Sequence, residues 1–387
     1  MRFALLPLLA AAAASAQIAV TSNDNKVNLV SGVVKIGANP KPDTVTIFDL
    51  KAWPPKVLGE VEAPGSVVGP PFSVAITPDE ALALVTSSQK VDPADPTKTV
   101  ADNRLSVIDL RARPPAVLAT LDTGKGPSGV SINRQGTLAL VANRNAGSIS
   151  IFTIEGKTVT PAGTLSLADE KSGVSHVAIS PDGRLALATR DGDDRISVLS
   201  IDGTKVEYTK RDIYAGLRPY GVDIAKDGKI AVVANIGRGG GDADTVSVID
   251  LEAKPPRVVE TTTVGQTPEG IRISPDGMLV GVVVVNGSNK ATDSPFYNDG
   301  GRLVIFKVAG KSLKKVAEAP IGHWSQGVLF TPDNKTILVG NMVEKNLVVF
   351  RFDGSKLRQM GHVGVNGGPV AVRLADKPAG VRVADKP

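Results

Sequence analysis

The sequence predicts an all-β fold: a seven-bladed β-propeller with four antiparallel strands in each blade. Three observations carry that reading. One phrase recurs six times, its period is that of a propeller blade, and each end of the chain holds part of a seventh copy.

The phrase is a small or polar residue, two apolar residues with one between, a turn, then an apolar run. Its copies include Ser73-Val74-Ala75-Ile76-Thr77-Pro78-Asp79, Gly129-Val130-Ser131-Ile132-Asn133 and His176-Val177-Ala178-Ile179-Ser180-Pro181-Asp182-Gly183. The others begin at Gly221, Gly270 and Gly327. The first Val or Ile of successive copies are 56, 47, 45, 49 and 57 residues apart. The Val/Ile alternation has the period of two expected of a strand. Pro-Asp-Gly supplies a tight turn, because Pro presets φ and Gly accepts positive φ. The runs that follow, such as Leu138 to Ala142 and Ile230 to Ala234, are nearly all apolar, as in strands covered on both faces. A third strand recurs, for example at Leu105 to Asp109 and Val246 to Asp250, and a weaker fourth follows, for example at Ala116 to Thr120. No long segment has a helical period, so helix should be scarce.

The seventh blade is split. Residues 18–22 and 43–49 supply its later strands, and Pro369 to Leu374 supply the missing first one. Joining them closes the ring and leaves no unpaired sheet edge to aggregate. The expected organisation is a secretory signal at 1–16, one propeller over 17–374, and a disordered tail over 375–387 that repeats Ala-Asp-Lys-Pro. The signal reading rests on Arg2, an apolar stretch from Phe3 to Ala14, and the small residues Ala14-Ser15-Ala16. It predicts a secreted or periplasmic protein with no transmembrane segment, expected to be monomeric.

Composition narrows the chemistry. There is no cysteine, which excludes disulfides, thiolate metal sites and a Cys nucleophile. The three histidines, at 176, 323 and 362, lack metal-ligand spacing, so no metal or cofactor is expected. Asp191-Gly192-Asp193-Asp194 offers oxygens to Ca²⁺ but reads first as a solvated hairpin turn. There is no Gly-x-Ser-x-Gly elbow and no phosphate loop. The net charge of +5 comes from interspersed residues, so a small anionic ligand or an envelope protein is a better expectation for a partner than nucleic acid.

The blade pattern puts the Pro-Asp-Gly turns on one face. The strand starts, the ends of the second strands and four long connections (23–43, 88–103, 236–244 and 286–301) fall on the other, where a site is expected. The second strands end at Ser22, Ser87, Asn143, Arg190, Asn235, Val284 and Asn341, with Asn286 just beyond Val284. Asn and Ser there either cap turns or bind ligand. The strand starts contribute His176, Arg218, Tyr220, Glu269, His323, Trp324 and Gln326. His176, Arg190 and Arg144 are the candidate catalytic residues, a proton exchanger with two anion holders. Asn143, Asn235, Asn341, Asn286, Arg218, Tyr220, Glu269, His323 and Trp324 are candidate ligand-binding residues.

Leu138 to Asn143 followed by Ser148 to Phe152, and Ile230 to Asn235 followed by Thr245 to Asp250, resemble the YVTN family of β-propeller repeats. Similar chains include exported YncE-like proteins, surface-layer proteins and the lactonase family related to 6-phosphogluconolactonase and carboxymuconate cyclase. The resemblance implies a seven-bladed fold and either a binding module or a lactonase-like hydrolase. His176 and the turn after it match the lactonase family's His before Phe-Ser-Pro-Asp-Gly, which would make His176 an acid–base residue and Arg190 an anion holder. The family's Glu-containing strand segment has no counterpart, since Gly281 to Asn286 contains no acid. The binding module is the first reading and the hydrolase the alternative.

Overall fold

A computed structural model of the chain describes residues 17–377. It holds seven four-stranded antiparallel sheets and one two-stranded hairpin, and its only helical element among the described residues is a single 3₁₀ turn, Glu170–Ser172. The first strands of the blades are Gly368–Leu374 (blade 1), Val74–Ile76, Pro127–Ile132, Val174–Ile179, Pro219–Ile224, Pro268–Ile273 and Ser325–Phe330 (blade 7). Each touches the next around a closed ring, so they line the axis. Blade 1 is closed as expected: Gly368–Leu374 pairs with Ile18–Asp24, which continues to Thr44–Asp49 and Lys56–Glu62.

The apolar runs of the second strands explain the core. Seven separate hydrophobic clusters lie one between each pair of neighbouring blades, for example Leu82, Leu84, Val107, Val130, Val141 and Phe152 between blades 2 and 3. A strand sandwiched this way is covered on both faces, so it cannot alternate with polar residues.

Two of the four expected long connections contain strands instead. Within 23–43, Val27–Val30 and Val33–Ile36 form a hairpin. Its turn residues Ser31 and Gly32 both have positive φ, 48° and 73°, which matches the right-handed twist of a two-residue hairpin. The tip lies against the 286–301 connection, where a Cβ on Gly32 would sit 2.3 Å from the Ala291 nitrogen. Within 88–103, strands Leu82–Val91 and Thr99–Asp109 extend their pairing out to Val91 and Thr99.

Three residues of the expected tail fall within the described chain. Residues 375–377 fold into the mouth on the turn face, where Asp376 pairs with Arg272 and Arg373, and Lys377 with Glu80. The expected signal, 1–16, and residues 378–387 lie outside the described residues.

Candidate functional site at the loop-rich mouth

Six of the seven first strands share a local device. The register with the second strand slips between Pro127 and Val130, Val174 and His176, Pro219 and Val222, Pro268 and Gly270, Ser325 and Val328, and Pro369 and Ala371. A bulge takes residues out of the ladder and re-aims their side chains. The polar residues re-aimed in this way are Ser128, Ser175, Tyr220, Glu269 and Gln326, and they surround the axis at the loop-rich mouth; blade 1 has the apolar Val370 there. The residue before each of these strands is left-handed: Gly126, Gly173, Arg218, Thr267, Trp324 and Gly367. Glycine adopts that conformation freely, whereas Arg218, at φ 55°, holds it at a cost of about 1 kcal/mol.

Asp191 organises the cationic side of the mouth. Arg144 donates to both of its carboxylate oxygens, at 2.6 and 2.9 Å, and Arg218 adds a bond of 2.7 Å. Ser175 donates to the same carboxylate. Burial alone would raise this carboxyl, but Arg144, Ser175 and Arg218 outweigh it and hold Asp191 below the usual carboxylate range. Arg144 also lies over the Tyr220 ring, 5.6 Å from its centroid. Tyr220 is buried, its hydroxyl has no hydrogen-bond partner among the described residues, and burial pushes its pKa up.

Glu269 faces this group. One carboxylate oxygen accepts a 2.9 Å bond from Gln326 Nε2, and the other has no partner among the described residues. Its pKa is raised to about 7: burial dominates, while the Gln326 bond and the charges of Arg218 and Arg144 oppose it. A carboxyl at that value exchanges protons near neutrality, which suits a general base.

The predicted trio does not converge. His176 lies deeper, stacked on Phe72 with ring centroids 4.0 Å apart, and its Nδ1 accepts the Val222 N–H at 3.3 Å. Burial first, and then the nearby Arg272 cation, lower its pKa to about 3, so it is a neutral ring at physiological pH. Arg190 points back into its own blade, paired with Asp193 and Asp212 and donating to Ser197. Only Arg144 reaches the mouth. The hairpin 191–194, expected to be solvated, has all three carboxylates paired to arginines, with Asp191 itself buried.

Of the predicted binding residues, Arg218, Tyr220 and Glu269 are at the mouth. The asparagines act as caps. Asn143 donates to Ser148 and Ser150, Asn235 to Thr245 and Ser247, and Asn341 to Asn346. Asn286, left-handed at φ 58°, accepts from Arg302. His323 bridges Glu344 and Asp299, and these acids raise its pKa against its partial burial. Trp324 is buried beneath the hairpin with Val27, Val67 and Met342. Neither Asp191, which the sequence places in a hairpin turn, nor Ser175 is among the candidate catalytic or ligand-binding residues. The available signal was positional: Ser175 aligns with Tyr220, Glu269 and Gln326 when the blades are superposed by their turns.

Fold and mouth together define the chain as a seven-bladed propeller with a polar cluster at one end of its axis. No protein-family model matches the chain. No curated protein matches it either. Solved structures do. A proposed 6-phosphogluconolactonase of Bacteroides fragilis is 18% identical over 94% of this chain and 99% of its own, with a TM-score of 0.71. The periplasmic gluconolactonase of Pseudomonas aeruginosa is 19% identical over 94% and 100%, with a TM-score of 0.66. The hydrazine synthase of Kuenenia stuttgartiensis is 17% identical over 80% and 91%, with a TM-score of 0.62. At these identities the likeness is one of fold, and the fold serves unrelated chemistries. Among the described residues no helix is long and apolar enough to cross a membrane.

Proposed function

We propose that the loop-rich mouth binds a small sugar-acid lactone and hydrolyses it. The observation that carries this reading is Glu269, held near pKa 7 opposite two arginines and an unpartnered tyrosine hydroxyl. Glu269 takes a proton from water as the water oxygen bonds to the lactone carbonyl carbon. The negative charge then developing on the carbonyl oxygen faces Arg218, Arg144 and the Tyr220 hydroxyl. Collapse breaks the ring C–O bond, and the proton held by Glu269 passes to the leaving alkoxide, giving the open hydroxy acid. The gluconolactonase names of two structural neighbours agree with this class of reaction. The leader-like residues 1–16, together with the periplasmic location of one of those neighbours, support export.

A specific observation favours a second reading, in which the same mouth only binds an anion. Asp191 already engages both arginines. Acid release followed by pH-stat on glucono-1,5-lactone and its 6-phosphate separates the two. Turnover lost in Glu269→Gln supports hydrolysis. No turnover by the folded protein, with gluconate binding retained, leaves the binding reading.

A further inference from the structure

The opposite mouth, on the turn face, carries a second charged cluster that the proposed hydrolysis does not use. Asp223, Arg272 and Arg373 occupy one and the same blade position, one residue beyond the central apolar residue of each first strand. Blades 2, 3, 4 and 7 have Ala75, Ser131, Ala178 and Leu329 there. The three charged side chains therefore meet at one level of the axis, on the far side of the His176–Phe72 stack. Below His176 a cavity of about 40 Å³ is lined by Arg272, Arg373, Asp223 and Asp376, and it adjoins a larger one of about 310 Å³.

The occupant of this level is the side-chain carboxylate of Asp376, which follows the axial strand of blade 1. Asp376 Oδ1 accepts from Arg272 Nη2 at 2.9 Å, and its Oδ2 accepts from Arg373 Nη2 at 2.8 Å. One planar two-oxygen anion thus bridges two guanidinium groups, the geometry arginine offers a carboxylate. The receiving side is built and fixed: the Arg272 side chain is 12% exposed and locked by a 3.0 Å bond to Asp223, and the Arg373 side chain is 7% exposed. The occupant is peripheral, with the Asp376 side chain 46% exposed. Arg373 Nε and Nη1 are buried with no partner among the described residues. Leaving such donors unpaired is costly, and a second acceptor group would satisfy them.

We propose that the turn-side mouth is a binding site for a small dicarboxylate, and that Asp376 occupies it as a built-in competitor. One carboxylate of the ligand replaces Asp376 between Arg272 and Arg373. The other reaches the free donors of Arg373. The site neither needs nor affects hydrolysis at the opposite mouth.

The test is titration calorimetry with succinate at fixed ionic strength. It compares the full chain, Asp376→Ala and a chain ending at Leu374. Removing the competitor should tighten succinate binding at least tenfold in both variants. Adding Arg373→Met to Asp376→Ala orphans no carboxylate and should reverse the gain. The peptide Ala-Asp-Lys-Pro, added to the shortened chain, should compete with succinate. If both variants melt like the full chain and bind succinate no tighter, the proposal fails. It fails equally if the tightened binding survives Arg373→Met.

Discussion

His176 of blade 4 lies stacked on Phe72 of blade 2, their ring centroids 4.0 Å apart and their planes 24° from parallel. Phe72 also packs against the core between blades 5 and 6, so the pair fills the axis and separates the two mouths. The sequence match that made His176 an acid–base candidate therefore marks a packing position. Its consequence is measurable. A His whose folded pKa of about 3 lies below its unfolded value stabilises the fold above pH ~6.5, and that contribution is lost as pH falls toward 3. His176→Phe keeps the stack but loses the acceptor for Val222, which should cost about 1–3 kcal/mol at pH 7.5. Urea midpoints at pH 7.5 and 4.5 should fall further for the natural chain than for His176→Phe. Equal falls would contradict the buried neutral ring.

Glu269 predicts the opposite sign. Its folded pKa of about 7 lies above the unfolded value, so the stability penalty of its ionisation appears as pH rises from about 4.5 through 7. Glu269→Gln should remove that penalty, raising stability at pH 8.5 by up to about 3 kcal/mol relative to pH 5. The same substitution should lower lactone turnover at least a hundredfold. The kcat/KM of the natural chain should rise with pH to a plateau, with its inflection near 7.

Asp191 is the support of the cationic side. Asp191→Asn leaves Arg144 and Arg218 facing each other without their shared counter-charge. Breaking a buried pair by removing one partner costs about 3–5 kcal/mol, so the melting temperature should drop by several degrees. Arg218→Gly relieves the left-handed strain but also loses the pair with Asp191. It should change stability much less than Asp191→Asn while weakening anion binding at the mouth. Thermal melts of the two variants side by side check this.

The first strands of blades 7 and 1 pack closely at Gly327. A Cβ on Gly327 would sit 2.7 Å from the Val372 nitrogen and 3.1 Å from the Ala371 Cα. Both contacts are backbone and cannot rotate away. Gly327→Ala should cost about 1–3 kcal/mol through overpacking, read as a lower urea midpoint. Gly156→Ala meets nothing within 4 Å, so it separates crowding from the backbone cost of a left-handed glycine, at φ 58°. Deleting residues 368–387 should expose the edge of Ile18–Asp24 and produce concentration-dependent aggregation in light scattering.

The repeat made the architecture legible. Val74, Val130, Val177, Val222, Ile271 and Val328 each begin the same strand–turn–strand phrase, and Pro369 to Leu374 declared the split blade. These are local signals, set by the period of a strand and by turn chemistry, and they need no knowledge of what lies across the axis. The strand-end asparagines were legible as residues but not as partners. Asn143 and Asn235 turn inward to hydroxyls of their own blades, and no spacing rule distinguishes that from facing a ligand.

The seven blades, their closure and the face that carries the strand starts thus follow from the repeat alone. Which polar residues meet depends on the folded ring. Arg190 turned away because Asp193 and Asp212 lie within its own blade. Glu269, Tyr220 and Arg218 converged because bulges re-aim side chains toward an axis shared by residues about fifty positions apart. Asp376 came to lie between Arg272 and Arg373 because the strand just before it, Gly368–Leu374, is the first strand of the first blade, which delivers residues 375–377 to the mouth. Convergence across a ring depends on how side chains are aimed and which charges pair, and neither is written in a one-dimensional pattern.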